Sequence, residues 1–386
     1  MGLSEIRKEL DEIDRSLLHL FEKRMQLALE VAKDKEKTGK AVFDGKREAE
    51  KLDSVSALVS DADLKTPVRE LFNGLMTLSR RRQLEYLATK GRRGKFGFTE
   101  VPTLSFRGRK LLVQGVRWSY SYLAGRTLFP DEAISFAEHF QDVVEAIAEG
   151  KTDYGILPID NSTYGMVQDN YDLLHEYTEL TVLREIFYPV SHCLATAKVE
   201  KEEALRKVYS HPQALSQCRE FFLKHPKVEK VSALNTAIAA KMLSESQEEG
   251  AAVLCSREAA EYYQLSILED RVSTKENTTR FFLLGREKEY TKEAYKLSLI
   301  LRIPNTVGSL YHVLENFLWN DLSLSMIQSR PLGDGAFSYL FFIDVLGNLS
   351  DAKMENALSS LQELGVEYRI LGNYPPFTEE RGGEKE

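Results

Sequence analysis

Apolar residues at Ile6, Leu10, Ile13, Leu17, Leu20, Leu27 and Val31 follow steps of four and three, which a long helix brings onto one face. That seam commits the start of the chain to a helix packed along other helices, with Ser4 as the expected N-cap and Gly39 as its end. The seam is broken inside its length. Position 24, between Leu20 and Leu27, is Arg24, and the same steps continued past Val31 reach Lys35. An unpaired buried charge costs several kcal/mol, about a domain's whole stability margin. These cations therefore either snorkel to the rim of a bundle or face a bound anion. Arg7 is a third cation on this helix, 24 − 7 = 17 positions from Arg24. That is about 25 Å along the axis and about 100° round it. One helix cannot close both on a small molecule. Two antiparallel copies can, which predicts a symmetric dimer with shared sites.

A second helix is expected from Asp44, with Arg47 and Glu48 in its first turn and Leu52, Val55 and Val59 on its apolar side. Carboxylates at a helix start are also favourable with the dipole alone. A third opens at Thr66-Pro67 and carries the stripe Phe72, Met76, Ser79, Gln83, Leu87, polar where the apolar face should continue. The inward set Arg7, Arg24, Lys35, Asp44, Arg47, Glu48, Ser79 and Gln83 suits a small dianion with a hydroxyl and an ether oxygen. It contains no nucleophile–base pair and no metal-ligand set. Residues 3–88 with these positions resemble the all-helical chorismate mutases. The resemblance implies a pericyclic rearrangement of chorismate to prephenate, in which the enzyme holds a folded conformer and stabilises charge on the ether oxygen. It places Arg7 (from a partner copy), Arg24, Arg47 and Ser79 on carboxylates, Lys35 and Gln83 on the ether oxygen, and Glu48 with the Asp44 backbone at the ring hydroxyl.

The domain is expected to span residues 1–90. A basic, Gly-rich run, Thr89 to Lys95, followed by Pro102, marks a linker over 91–108. A nucleic-acid patch is the rival reading of that run, but it is short, lacks an aromatic series, and sits in a chain of net charge −8. Three cysteines, Cys193, Cys218 and Cys255, show no metal-ligand spacing and fit reduced thiols in a cytoplasm. The N-terminus reads as a charged helix, not a signal peptide, and no apolar run approaches a membrane span. No cofactor or metal is expected.

Residues 109–288 alternate strand and helix signals, as in open sheets covered by helices. Such sheets bind ligands beyond the carboxyl ends of strands. Polar motifs fall there: Asp160-Asn161-Ser162, Ser210-His211-Pro212-Gln213, and Thr279-Arg280 in the run Asn277–Gly285. A Thr hydroxyl at a strand mouth is a fixed proton donor, and a neighbouring Arg can hold a carboxylate. With Gln217-Cys218 and Asn235-Thr236-Ala237, these motifs resemble prephenate dehydratase. The resemblance implies a two-lobed, periplasmic-binding-protein-like α/β fold and conversion of prephenate to phenylpyruvate with loss of carbon dioxide and the ring hydroxyl. Thr279 would assist the leaving hydroxide, with Asn161, Ser210, Gln217 and Arg280 on the substrate. Two departures from that pattern are Trp118 for a Gly in Gly115–Ser121, which would narrow the cleft or strain the loop, and Asp160 for Glu.

Residues 293–375 read as β-α-β-β-α-β, a ferredoxin-like α+β unit. Asn305–Leu310 and Gln328-Ser329-Arg330-Pro331 resemble the ACT domain, an amino-acid sensor. That implies phenylalanine as an allosteric inhibitor bound between copies near Gly308, Ser309 and Leu310 of one and Gln328, Ser329 and Arg330 of the other. Gln328 stands where that family carries Glu. The charged tail, 376–386, looks disordered. The three resemblances in this order are those of the bacterial P-proteins, fused chorismate mutase–prephenate dehydratases acting as a homodimer or larger oligomer. Two rivals are a mutase whose dehydratase unit is impaired by Trp118, and a regulatory protein whose α/β unit only senses an amino acid.

Overall fold

The computed structural model describes residues 2–92, 96–198, 201–273, 276–306, 308–332, 339–363 and 365–377, without the side chains of Glu203 and Glu363. Arg93, Gly94 and Lys95 of the basic run, Val307 of the 305–310 motif, Leu364 and the tail from residue 378 lie outside the described residues. The chain forms two compact units, residues 1–98 with 292–373 and residues 99–291 with 374–386.

The first helix, α1 (Leu3–Thr38), runs as the seam requires. Its cap is Gly2 rather than Ser4: the Gly2 N–H donates to Glu5 Oε2 at 2.8 Å, and Ser4 is already inside the first turn. Gly39, at φ 70°, ends the helix in the left-handed conformation that favours glycine. Asp44 caps α2 (Gly45–Ala57), its Oδ1 accepting from the Arg47 N–H at 3.1 Å. A 3-10 turn at Ala62–Leu64 precedes α3 (Lys65–Thr89), so Thr66 and Pro67 fall within the first turn and not at its boundary.

The second unit opens with β1 (Thr99–Glu100), then β2 (Leu111–Gln114), α4 (Tyr120–Leu128), β3 (Ile134–Ala137), α5 (Phe140–Ala148), β4 (Tyr154–Asn161), β5 (Gly165–Met166), α6 (Gln168–Glu176) and β6 (Thr181–Pro189). It continues with β7 (Cys193–Thr196), β8 (Lys207–Ser210), α7 (Pro212–Gln217), α8 (Arg219–Lys224), β9 (Glu229–Ser232), α9 (Thr236–Ser246), β10 (Ala251–Cys255), α10 (Arg257–Tyr262), β11 (Ser266–Glu269), β12 (Thr278–Gly285) and β13 (Glu289–Tyr290). One lobe is a sheet in the order β3-β2-β4-β12-β6, the other β11-β7-β10-β8-β9. The chain passes between them after β6 and returns before β12, which inserts antiparallel between β4 and β6. Helices pack closely on these sheets: a Cβ at Gly155 would lie 2.4 Å from Val143 of α5. Helices α7 and α8 are short and meet at Cys218. Strands β6, β7, β9 and β11 escape the sequence pattern; β6 and β7 are buried on both faces for most of their length and show no alternation.

The chain then adds β14 (Lys296–Arg302), α11 (Ser309–Trp319), β15 (Leu324–Pro331), β16 (Tyr339–Leu346), α12 (Ala352–Glu363) and β17 (Glu367–Tyr374), in the sheet order β15-β16-β14-β17. This is the ferredoxin-like arrangement expected from the sequence. Both of its helices pack on α3 of the same unit. A Cβ at Gly74 would lie 3.0 Å from the Trp319 ring, and Asn356 Nδ2 donates to Thr77 O at 3.2 Å.

Candidate active sites

A cavity of about 900 Å³ opens between α1, α2 and α3. Arg24 and Lys35 reach it from α1, Asp44, Arg47 and Glu48 from the start of α2, and Ser79, Arg80 and Gln83 from α3. Arg24 Nη1 donates to Leu75 O at 2.5 Å and to Ser79 Oγ. Lys35 Nζ donates to Val42 O at 2.5 Å. Gln83 Nε2 donates to Ser79 O at 3.2 Å, which leaves its second N–H for a ligand. Six cations on the wall, Arg24, Lys35, Lys40, Arg47, Lys51 and Arg80, face three carboxylates, Asp44, Glu48 and Glu50. That excess favours an anionic ligand. Burial lowers the pKa of Arg24 and of Lys35, the latter also through Arg47. Burial raises that of Glu48, against the pull of Arg80, Lys35 and Arg24. Arg7 is not on this wall; it lies in the stretch of α1 whose residues 2–23 are all exposed. Arg80 escaped the sequence reading because it sits one residue past the polar stripe. Its ion pair with Glu48 is a tertiary fact.

A second cavity, of about 620 Å³, lies between the two lobes. Asn161 ends β4 and Thr279 is the second residue of β12, and the antiparallel register sets them opposite one another. Asn161 Nδ2 donates to Thr279 Oγ1 at 2.9 Å, and its Oδ1 accepts from the N–H groups of Thr163 and Tyr164. That donation leaves the Thr279 O–H directed elsewhere and strengthens it as a donor. Gln217 comes from the other lobe, its Oε1 3.0 Å from His192 Nε2. His192, missed in the sequence, is also 3.1 Å from Tyr120 Oη, and burial pulls its pKa down to about 4. The wall carries no Arg or Lys among the described residues; instead the first turns of α4 and α9 open onto it at Ser119 and Asn235. Helix N-termini favour anions. The Nδ2 atoms of Asn235 and Asn277, two side chains of this wall, are buried without a hydrogen-bond partner.

Two expected members are elsewhere. Strand alternation turns Arg280 to the opposite face from Thr279. There its Nε meets Glu185 Oε2 at 2.9 Å, Nη2 donates to Tyr374 Oη at 3.0 Å, and Nη1 is 3.5 Å from Asp160. Ser210 is buried, and its hydroxyl donates to Leu254 O at 2.6 Å, so it braces β8 on β10. Asp160 likewise serves the structure, accepting from Tyr171 Oη at 3.0 Å. Trp118 adopts φ 69°, the conformation its missing glycine would take freely. Its ring stays off the cavity wall and packs on Tyr122 and Tyr262, with centroids at 5.3 and 5.6 Å. It strains the loop and does not narrow the cleft.

In the ferredoxin-like part, Gly308 (φ 81°) precedes α11, followed by Ser309 and Leu310. Gln328, Ser329 and Arg330 lie on the edge strand β15. Within one copy, β16 stands between that strand and β14. Among the described residues no group of His, Cys, Asp and Glu is placed to hold a metal, the three cysteines are free and buried, and no helix is long and apolar enough to cross a membrane.

A polar interlobe cleft with a hydroxyl donor in one unit and a cation-rich helical cavity in the other define an enzyme with two separate sites for small carboxylates. The prephenate dehydratase family model matches residues 111–289, and the chorismate mutase type II model matches 6–84. The bifunctional chorismate mutase/prephenate dehydratase of Enterobacter agglomerans is 29% identical over 97% of this chain and 96% of its own. The prephenate dehydratase of Lactococcus lactis is 34% identical over 70% of this chain and 98% of its own. Among solved structures, Arthrobacter aurescens prephenate dehydratase in complex with L-Phe is similar at TM-score 0.63 and 26% identity, covering 69% of this chain and 90% of that one. A protein described as a novel type of quorum quenching acylase, GqqA, is similar at TM-score 0.61 and 28% identity over 71% of this chain and 100% of that one. The chain belongs to the prephenate dehydratase family and, with its chorismate mutase domain, is a bacterial P-protein: a bifunctional enzyme of phenylalanine biosynthesis that rearranges chorismate to prephenate and converts prephenate to phenylpyruvate.

Proposed function

We propose that the helical cavity is the chorismate site and the interlobe cleft the prephenate site. The observation that carries the first assignment is that one cavity gathers Arg24, Lys35, Asp44, Arg47, Glu48, Ser79 and Gln83. Arg24 and Arg47 take the carboxylates, with Ser79 beside them. Lys35 and Gln83 donate to the ether oxygen as its bond breaks, and Glu48 accepts from the ring hydroxyl. Arg7 completes the site from a second copy. Support for that dimer is the exposed seam: Leu10 and Leu17 are more than half exposed, and a helix with such a face needs a partner. In the cleft, Thr279 donates to the leaving hydroxyl while carbon dioxide departs and the ring becomes aromatic. The amides of Asn161, Gln217, Asn235 and Asn277 and the starts of α4 and α9 hold the carboxylates.

The test is a double dissociation. Arg24→Ala is expected to lose about a hundredfold in chorismate turnover, roughly 3 kcal/mol of transition-state stabilisation, with prephenate turnover intact. Thr279→Ala is expected to do the reverse and let prephenate accumulate. Loss of both activities together in either variant removes the two-site assignment.

The ferredoxin-like part acts as an ACT-type sensor through which phenylalanine inhibits. The relative solved with L-Phe supports this. Phenylalanine lies between copies, by Gly308, Ser309 and Leu310 of one and Gln328, Ser329 and Arg330 of the other. The protein works in the cytoplasm, in keeping with three buried free cysteines and its bacterial biosynthetic relatives.

A further inference from the structure

Helix α3 has two buried faces. Met76, Ser79 and Gln83 look to the chorismate cavity. Thr77, Leu84 and Leu87 are buried on another side, where α12 packs. Arg80 belongs to both. It borders the 900 Å³ cavity and also a smaller one of about 250 Å³ lined by Phe43, Leu84 and Leu87 and by Glu355, Asn356 and Ser359 of α12. Its side chain is 3% exposed. Nη1 pairs with Glu48 Oε2, and Nη2 donates to Thr77 Oγ1 and to Ser360 Oγ, each at 3.0 Å. The guanidinium lies 5.6 Å from the Phe43 ring centroid.

We propose that Arg80 is a positioning residue for chorismate rearrangement: anchored from behind by Ser360 of α12, it fixes the Glu48 carboxylate at the cavity wall and makes the reaction depend on how the ferredoxin-like part is docked. A planar fork with one arm on Glu48 and the other on two hydroxyls has little freedom to move alone. A shift of α12 is therefore passed to Glu48. Arg80 also sets the charge of its partner. Glu48 is faced by Arg80 from α3, by Arg24 and Lys35 from α1, and by Asp44 from the start of α2. Of these, Arg80 does most to keep it ionised against burial. Ionised Glu48 accepts from the ring hydroxyl; protonated, it accepts less well.

The proposal rests on the reading of this cavity as the chorismate site, so the experiment separates the two. Chorismate and prephenate turnover are measured against pH for the full-length wild type, Glu48→Gln, Arg80→Met, Arg80→Lys and Ser360→Ala. Glu48→Gln is expected to lose most chorismate turnover together with its acid limb. A Glu48→Gln enzyme with unchanged profile overturns the site reading and this proposal with it. Arg80→Met is expected to lower kcat/KM for chorismate about tenfold at neutral pH and move the acid limb up by about one unit, with prephenate turnover unchanged. Ser360→Ala is expected to move the limb the same way by less, and Arg80→Lys to restore part of the Met loss. If Arg80→Met also lowers prephenate turnover, Ser360→Ala and Arg80→Lys, which change little volume, carry the test. A sensitive Glu48→Gln beside unmoved acid limbs in the Arg80 and Ser360 variants overturns the role of Arg80.

Discussion

At the scale of single residues, Thr279 and His192 show how position in a strand or a core sets chemistry. Thr279 has its hydroxyl aimed by Asn161 at 2.9 Å. Thr279→Ser keeps that group and is expected to retain at least tenfold more prephenate turnover than Thr279→Ala; equal rates would mean the hydroxyl takes no part. His192 is held neutral by burial, with a folded pKa of about 4. The unfolded chain protonates it near 6.5, so between about 6.5 and 4 the unfolded state binds the extra proton and stability falls as pH falls. The contribution is about 3 kcal/mol. His192→Asn should flatten the change in urea midpoint between pH 7 and 4.5, and an identical slope in both proteins would refute the assignment. Arg280 is the residue-scale lesson in the other direction. A cation beside the hydroxyl in sequence is, by strand alternation, on the far side of the sheet from it.

At the scale of elements, α1 and the 115–121 loop carry the sharpest expectations. The first twenty residues of α1 present Ile6, Leu10, Ile13, Leu17 and Leu20 to solvent, a stripe that a second copy would cover. Replacing Leu10 and Leu17 by Glu is expected to dissociate the proposed dimer in sedimentation and, if Arg7 serves a second copy's cavity as proposed, to lower chorismate turnover at least tenfold. A dimer that persists with full turnover would place the interface elsewhere. In the loop, Trp118→Gly relieves about 1 kcal/mol of left-handed strain but gives up packing on Tyr122 and Tyr262 worth about 3 kcal/mol. The net expectation is a loss of about 2 kcal/mol, read as a lower Tm, with no rise in prephenate turnover. A marked rise would revive the idea that Trp118 impairs the cleft.

At the scale of the whole molecule, two chemistries share one chain with the ferredoxin-like part proposed as their sensor. Gln328 is neutral on the edge strand, at the position where the resemblance to the ACT family implies Glu; a carboxylate there would attract the ammonium group of a bound amino acid. Gln328→Glu is expected to lower the phenylalanine concentration for half-inhibition of prephenate turnover several-fold, within the usual coupling range of about 1–3 kcal/mol. No change would remove Gln328 from the ligand site. Linkage also requires that inhibition reflect a difference in phenylalanine affinity between two arrangements of the protein.

The sequence by itself determined the order of elements, because each stretch has its own pattern: a 3.6 period in the helical seam, then βα alternation, then β-α-β-β-α-β. It also anticipated that Arg24, Lys35, Ser79 and Gln83 share one cavity, because a helix period places them on predictable faces, and charges on an apolar face have few explanations. Tertiary structure decided what periodicity does not encode. Strand register, not proximity in sequence, put Asn161 opposite Thr279 and sent Arg280 and Ser210 into the scaffold. Packing of α12 on α3 buried Arg80 between Glu48 and Ser360, residues 312 positions apart, and no local pattern marks such a pair, since long-range contacts form only when the chain folds.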